Sequence, residues 1–350
     1  MMKAVTTAAL AALGWGCAGI SIPDPDPDAV ETTIFLIGDA GEPDPRERSA
    51  ALDSLAAQAA THPERSVIAF LGDNVYPAGI PEPGTAWYAD AVRRLDTQIA
   101  AVPPGVLGIF VPGNHDWAYH EPDGLYSIRR QGELVSARAG GRRVQMRPSN
   151  GCPGPDVLDI GRTRLLFMDT QWWLHGYIVH DSASACLTTM AAVTEELRVQ
   201  TAVEDRIVML LAHHPLMTGG EHGGYCGLAA PFHRFAGEAQ DILSRSNRRM
   251  RDSIAAAIEE VRPLIFAAGH DHSLQVLRGA ETEYVLVSGA GSYSKSDCAV
   301  RLRESYFVAQ RRSGFMRVDI LREKGVRLQV YMYDFAGEGG LAYTRWLEHP

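Results

Sequence analysis

The sequence predicts an α/β fold, a four-layer α-β-β-α sandwich in which two mixed sheets pack face to face with helices outside. Three observations predict it. The amino-terminal part alternates apolar, β-rich runs with runs of helical period, a β-α-β-α-β order that implies a parallel sheet with right-handed crossovers. From residue 164 a second set of apolar runs repeats the alternation, then gives way to closely spaced alternating segments that read as antiparallel strands. Finally, five apolar runs end on Asp, Asn or His, which puts polar side chains at strand carboxyl ends, where open α/β sheets build ligand sites.

Taken in order, residues 32–37 form a short β-rich run ending at Gly38-Asp39, and residues 47–60 are Ala/Leu-rich with helical spacing. Residues 66–71 are wholly apolar after Ser66 and read as a buried strand that stops at Gly72, where the chain turns sharply into Asp73-Asn74-Val75-Tyr76. A helix over 87–101 is halted by Pro103-Pro104, and the strand 106–111 delivers Gly113-Asn114-His115-Asp116. Residues 119–155 are rich in Gly, Arg and Pro without a clear period and read as a long excursion over the sheet edge. Strands over 164–168 and 206–212 flank an amphipathic helix over 187–203; the second ends at His213-His214-Pro215. A Gly-rich loop, 219–230, carries His222. Residues 235–261 are mostly helical, and the strand 264–268 ends at Gly269-His270-Asp271-His272. Residues 274–278, 283–288, 315–321 and 326–333 alternate like antiparallel strands, and the last fifty or so residues carry no motif.

The apolar content of 46% and charged content of 21% describe a globular chain with ample core. A net charge of −9 argues against nucleic acid as a partner; an acidic protein handling an anionic phosphate needs local positive charge, which metal ions supply. Residues 1–17 read as a secretory signal, Lys3 followed by an Ala/Leu-rich run and small residues, too short to span a membrane. Cys17 is a candidate for lipid attachment, although Trp15 is unusual before such a site; plain cleavage would leave a secreted protein. Residues 18–30 form a Pro/Asp-rich tether, and residues 31–350 are expected to form the domain. Of the five cysteines, Cys152, Cys186, Cys226 and Cys298 lie in that domain. An even number in an exported protein implies two disulfides, with the pairing open.

Asp39, Asp73, Tyr76, Asn114, His213, His270 and His272 together offer carboxylate, phenol, amide and imidazole donors. That assortment suits two cations roughly 3.5–4 Å apart sharing an anionic ligand. Such a pair generates a hydroxide near neutral pH and polarises phosphoryl oxygens, two of the requirements of phosphate ester hydrolysis without a covalent intermediate; the third is a proton for the leaving alkoxide. Singly, each strand end is an ordinary turn or capped loop; together and in this order they point to one centre.

In order, Gly38-Asp39-Ala40-Gly41, Gly72-Asp73-Asn74-Val75-Tyr76, Gly113-Asn114-His115-Asp116, Ala212-His213-His214-Pro215 and Gly269-His270-Asp271-His272 resemble the motifs of the calcineurin-like metallophosphoesterases, over residues 34–287. The chain is most similar to the purple acid phosphatases of the short tartrate-resistant type. Most metallophosphoesterases carry a His where this chain has Gly41; here Tyr76 replaces that ligand, as in the purple enzymes. The resemblance implies a metallophosphoesterase-like sandwich and two metal ions. Asp39, Tyr76 and His272 would bind Fe(III), while Asn114, His213 and His270 would bind a divalent Fe, Zn or Mn, with Asp73 bridging. His115 and His222 would bind phosphate and protonate the leaving group, Asp116 would orient His115, and His214 would not be a ligand.

The expected function is an exported acid phosphomonoesterase acting on a small phosphate ester, in which a metal-bound hydroxide attacks phosphorus. The alternatives are a phosphodiesterase or nucleotidase on the same centre, or a surface binding protein without turnover. Membrane attachment would run through Cys17. Arg129, Arg130, Arg142 and Arg143 would reach an anionic substrate or lie on solvated surface, and Trp172-Trp173 would wall the cleft or fill core. His62, His120, His175, His180, His233 and His349 have no motif around them.

Overall fold

The computed structural model describes residues 24–42, 49–175, 186–187, 189–227, 238–292 and 297–348. The signal stretch, Cys17, His180, His233 and His349 lie outside the described residues, as does the side chain of His120.

Two seven-stranded mixed sheets form the centre, in the order β14-β13-β12-β1-β2-β3-β4 and β11-β9-β10-β8-β7-β6-β5. The strands of the first are β1 (Val30–Ile37), β2 (Ser66–Leu71), β3 (Leu107–Val111), β4 (Arg143–Met146), β12 (Ser313–Leu321), β13 (Val326–Tyr333) and β14 (Gly339–Glu348). Those of the second are β5 (Asp156–Ile160), β6 (Thr163–Phe167), β7 (Ile207–Leu211), β8 (Ile265–Ala268), β9 (Leu274–Arg278), β10 (Tyr284–Ser288) and β11 (Ser305–Ala309). Within them, β1-β2-β3-β4 and β6-β7-β8-β10 run parallel.

Alternation along each strand divides the core. Ile34, Leu36, Ala69, Ile109, Leu211, Ala267 and Leu286 face the opposite sheet and are buried there together. Phe35, Phe70, Phe110, Leu166 and Phe266 face outward and are buried with helix residues. The helices are α1 (Ala50–Ala59), α2 (Tyr88–Ala100), α3 (Gly124–Ala137), the single turn α4 (Thr170–Leu174), α5 (Met190–Thr201) and α6 (Arg245–Ile258). Ser49, Asp169, Thr189 and Ser244 cap α1, α4, α5 and α6 by accepting a hydrogen bond from a first-turn N–H. Strands open on both faces to apolar layers explain why runs such as residues 66–71 are apolar throughout rather than alternating.

The excursion over 119–155 proves to be ordered. It carries α3 and then β4, which pairs in parallel with β3. Arg130 and Arg142 donate to the carbonyls of Ile80 and Val102, while Arg129 and Arg143 reach those of Asn150 and Gly105; Val102 and Gly105 lie at the strand end opposite the polar motifs. Trp172 and Trp173 are buried core residues. The last fifty residues supply β11–β14. The described end of the Pro/Asp stretch docks on the outer face of the first sheet: Asp24 lies 2.5 Å from Arg327, and Arg65 donates to the carbonyl of Pro27.

Two disulfides form, Cys152–Cys186 and Cys226–Cys298, which fits an oxidising compartment. Among the described residues no helix is long and apolar enough to cross a membrane. Cys226–Cys298 spans a sequence separation of 72 and ties the His222 loop to a segment bonded to the carbonyl of His272 through Asp297 N–H, at 2.7 Å. Replacing Cys226 and Cys298 by Ser should cost about 2–5 kcal/mol of stability, read as a fall in Tm; an unchanged Tm would show that the backbone contacts alone hold these loops.

Candidate metal centre

The two sheets meet at their strand carboxyl ends. Gly38 N–H, just past β1, donates to Ser288 O of β10 at 2.7 Å. A Cβ on Gly38 would lie 3.0 Å from Gly269 Cα, so glycine permits the approach. The loops after β1, β2, β3, β7 and β8 therefore converge.

Asp39 and Asp73 are buried, 0% and 1% exposed, and both adopt left-handed backbone, φ 58° and 53°, uncommon for non-glycine residues but among the conformations Asp tolerates best. Each commits one oxygen to a backbone N–H: Asp39 Oδ2 accepts from His270 at 2.9 Å, and Asp73 Oδ1 from His115 at 2.9 Å. The other oxygens face Tyr76, whose Oη stands 3.0 Å from Asp39 Oδ1, 3.0 Å from Asp73 Oδ2 and 3.2 Å from His272 Nε2. Ligand atoms about 2.1 Å from one cation lie roughly 3 Å apart, so this spacing is that of one coordination shell. Burial, followed by the two carboxylates, pushes the Tyr76 phenol well above its ordinary range.

On the far side of Asp73, His213 donates from Nδ1 to Leu71 O at 2.8 Å. That bond leaves Nε2 facing Asn114 Oδ1 at 2.8 Å and Asp73 Oδ2 at 3.4 Å. With neutral imidazole all three are electron-pair donors, so positive charge must sit among them, as a proton or as a metal ion. Burial alone would lower the His213 imidazole; Asp73 outweighs it and holds it up at about 9. Burial likewise penalises the charge on Asp73, yet His213 and His115 hold its carboxyl far below the usual range. His270, 3% exposed, has an Nε2 with no hydrogen-bond partner among the described residues, and burial followed by neighbouring imidazoles keeps it neutral. A buried, neutral imidazole nitrogen without a partner among the described residues, grouped with ring nitrogens of His213 and His214, fits a metal site.

All seven candidate ligands therefore lie in this one region. The ring nitrogens of His213, His214 and His270 fall within 4.8 Å of one another, and so do ligand atoms of Asp39, Asp73 and His213. His214 is thus closer to the centre than its sequence context implied, but its Nδ1 is engaged by Thr170 Oγ1 at 2.9 Å.

His115 and His222 flank the cluster. His115 donates from Nδ1 to Pro77 O at 2.5 Å and carries Nε2 to 3.8 Å from Asp73 Oδ2; its ring lies 4.3 Å from that of Tyr76. The ring of His222 stacks on His270 at 4.0 Å, and its Nδ1 is 2.7 Å from Asp241 Oδ1. Burial opposes the His222 charge, but the Asp241 bond leads the contributions that raise its imidazole. Nothing in the sequence marked Asp241; its stretch reads as mostly helical, but among the described residues the helix runs only from Arg245 to Ile258 and Asp241 lies in the turns before it. Asp116 does not orient His115: it accepts from the N–H groups of Gly113, Asn74 and Val75 at 2.8–3.1 Å, tying the loops after β2 and β3. Of the histidines without a motif, His175 is buried 4.9 Å from the Trp117 ring and His62 bonds Arg65.

This is the metallophosphoesterase-like fold, with buried His/Asp clusters at the junction of its sheets. Among solved structures, the chain is similar to GAP50, the anchor in the inner membrane complex of Plasmodium: TM-score 0.59, 14% identity, covering 92% of this chain and 90% of that one. It is also similar to the purple acid phosphatase PPD1 of yellow lupin (Lupinus luteus) seeds, TM-score 0.55 and 14% identity, covering 90% of this chain and 53% of the lupin chain. No protein-family model and no curated protein matches the sequence.

The backbone at Gly41 leaves no room for a side chain. A Cβ at this position would overlap the Asn74 backbone and lie 2.5 Å from Asp73 O. The same contact is a pair of hydrogen bonds, Gly41 N–H to Asp73 O at 3.1 Å and Tyr76 N–H to Gly41 O at 3.3 Å, which sets the turn that brings Tyr76 inward. Gly41→Ala should therefore lose about 1–3 kcal/mol through overpacking and bind less metal, measured by calorimetry and elemental analysis on one preparation. Wild-type Tm and metal content in that variant would show that the turn has slack.

Proposed function

We propose that this chain is a metal-dependent phosphoric ester hydrolase, an acid phosphomonoesterase of the purple acid phosphatase kind with a dinuclear centre. The observation that carries the reading is Tyr76 Oη placed between Asp39 and Asp73, 3.0 Å from each, at a site whose Gly41 leaves no room for the alternative histidine ligand. Asp39, Tyr76 and His272 would hold Fe(III); Asn114, His213 and His270 would hold a divalent Fe, Zn or Mn; Asp73 would bridge. Bound there, the two ions supply a hydroxide nucleophile near neutral pH and neutralise charge on the phosphoryl oxygens.

The chain's own residues do the rest. The Leu71 carbonyl fixes the His213 tautomer so that Nε2 faces the centre. The Pro77 carbonyl does the same for His115, and Asp241 for His222. Both flanking imidazoles thus present Nε2 toward substrate, positioned to bind a phosphoryl oxygen and to give a proton to the leaving oxygen. The two disulfides support export, and Cys17 is the proposed anchor point if the protein stays at the cell envelope. A surface binding protein without turnover is disfavoured by the complete donor set.

Asp73→Asn should lose bound metal and activity together, activity by at least about 100-fold, because one amide replaces the shared charge; retention of both would sink the model. In an iron-loaded, oxidised protein Tyr76 should give a visible phenolate-to-iron band that Tyr76→Phe removes, and a colourless, active, iron-loaded enzyme would remove Tyr76 from the ligand set. Hydrolysis of a chromogenic monoester beside its diester, from acid to neutral pH, tests substrate class. Monoester preference at acid pH is expected; diester preference would move the function to a phosphodiesterase.

A further inference from the structure

Beyond the metal cluster, the loop after β3 takes an expensive path. Ala118 and Tyr119 are consecutive non-glycine residues in left-handed backbone, φ 53° and 50°. Such strain persists only where the surroundings impose it, and it gathers at functional sites. Here Tyr119 N–H donates to Asn114 O at 3.1 Å, and Ala118 N–H to His115 O at 3.0 Å, which curls the loop back on its own start. The result is an aromatic column. Tyr76 lies 4.3 Å from the His115 ring, and His115 lies 4.7 Å from the Tyr119 ring. The column runs from the buried cluster to Tyr119, which is 41% exposed.

The outer end of the column is fixed from the other half of the chain. Tyr119 Oη donates to Glu238 Oε2 at 3.0 Å, and Glu238 N–H donates to Asp241 Oδ2 at 2.7 Å, the same carboxylate that holds His222. A large aromatic ring half open to solvent is thereby pinned beside one candidate proton donor, through a short segment that also pins the other. An ester oxygen taking a proton from His115 Nε2 must lie within about 3 Å of it. The carbon bonded to that oxygen then emerges beside the Tyr119 ring.

We propose that Tyr119 is a specificity-determining residue, a stacking platform that makes the cleft favour phosphate esters whose leaving group carries a flat aromatic or heteroaromatic ring next to the ester oxygen. The inference rests on the phosphoester reading above. Stacking on one aromatic face is worth roughly tenfold in affinity, and Glu238 makes the ring available without reordering it at each binding event.

The test compares phenylphosphonate with methylphosphonate, non-hydrolysable analogues, binding to the metal-loaded protein by titration calorimetry, alongside kcat/KM for an aryl and an alkyl phosphate. Tyr119→Asn removes the ring and keeps a residue that accepts left-handed backbone; Tyr119→Phe keeps the ring. Wild type is expected to prefer phenylphosphonate by roughly tenfold, Tyr119→Phe to keep that preference, and Tyr119→Asn to lose it, with the aryl-to-alkyl ratio of kcat/KM falling in parallel. A Tyr119→Asn protein that keeps the preference, or a wild type that binds both phosphonates equally, overturns the platform while leaving the phosphoesterase reading in place. A wild type that binds neither overturns that reading and the platform with it.

Discussion

Two carboxylates with no access to water dictate the rest of this molecule. Asp39 and Asp73 are buried side by side against one phenol, and like charges in a low-dielectric interior do not stay together uncompensated. The surrounding structure answers that constraint. One oxygen of each is tied to a backbone N–H, the loops are forced into left-handed turns to present the other oxygen, and imidazoles approach from the second sheet. Much of what looks like separate design, from the glycine contact at Gly38 and Gly269 to the Asp116 hub between two loops, serves to hold the anionic pair where positive charge can reach it.

The positive charge is divided between protons and ions according to what is bound. In the protein alone, the His213 imidazole is held charged by Asp73, while His270 is held neutral by its buried surroundings and its neighbours. Two imidazoles on the same centre are therefore tuned in opposite directions. An ion held by His213 Nε2 would stand where that proton stands, so binding at this cluster would be coupled to proton release.

The strand ends and their chemistry were legible in the sequence because they obey a strong local rule: a fully apolar run, a glycine, then a polar residue. β2 and β13 keep the bounds their patterns implied. What was illegible had weak or conflicting local signals. α3 buries Ser127 and Gln131 and carries Gly132 in its interior, so its inward face does not read as apolar. β4 and β14 are edge strands with partly exposed residues, without the continuous hydrophobicity that marked the central ones. Asp241 and Glu238 escaped notice because their roles depend on tertiary partners 19 and 119 residues away, which no local pattern encodes. The closeness of His214 to His213 and His270 is visible only in the fold, where Thr170 Oγ1 engages its Nδ1 at 2.9 Å.

The packing at Gly41 bears on how substitutions at this site combine. The turn that delivers Tyr76 fills the volume a side chain at residue 41 would need. Any larger residue there must displace the backbone of Asp73 and Asn74, and Tyr76 with it. Substitutions at 41 and 76 are therefore coupled rather than additive, and a change tolerated at one position depends on what stands at the other.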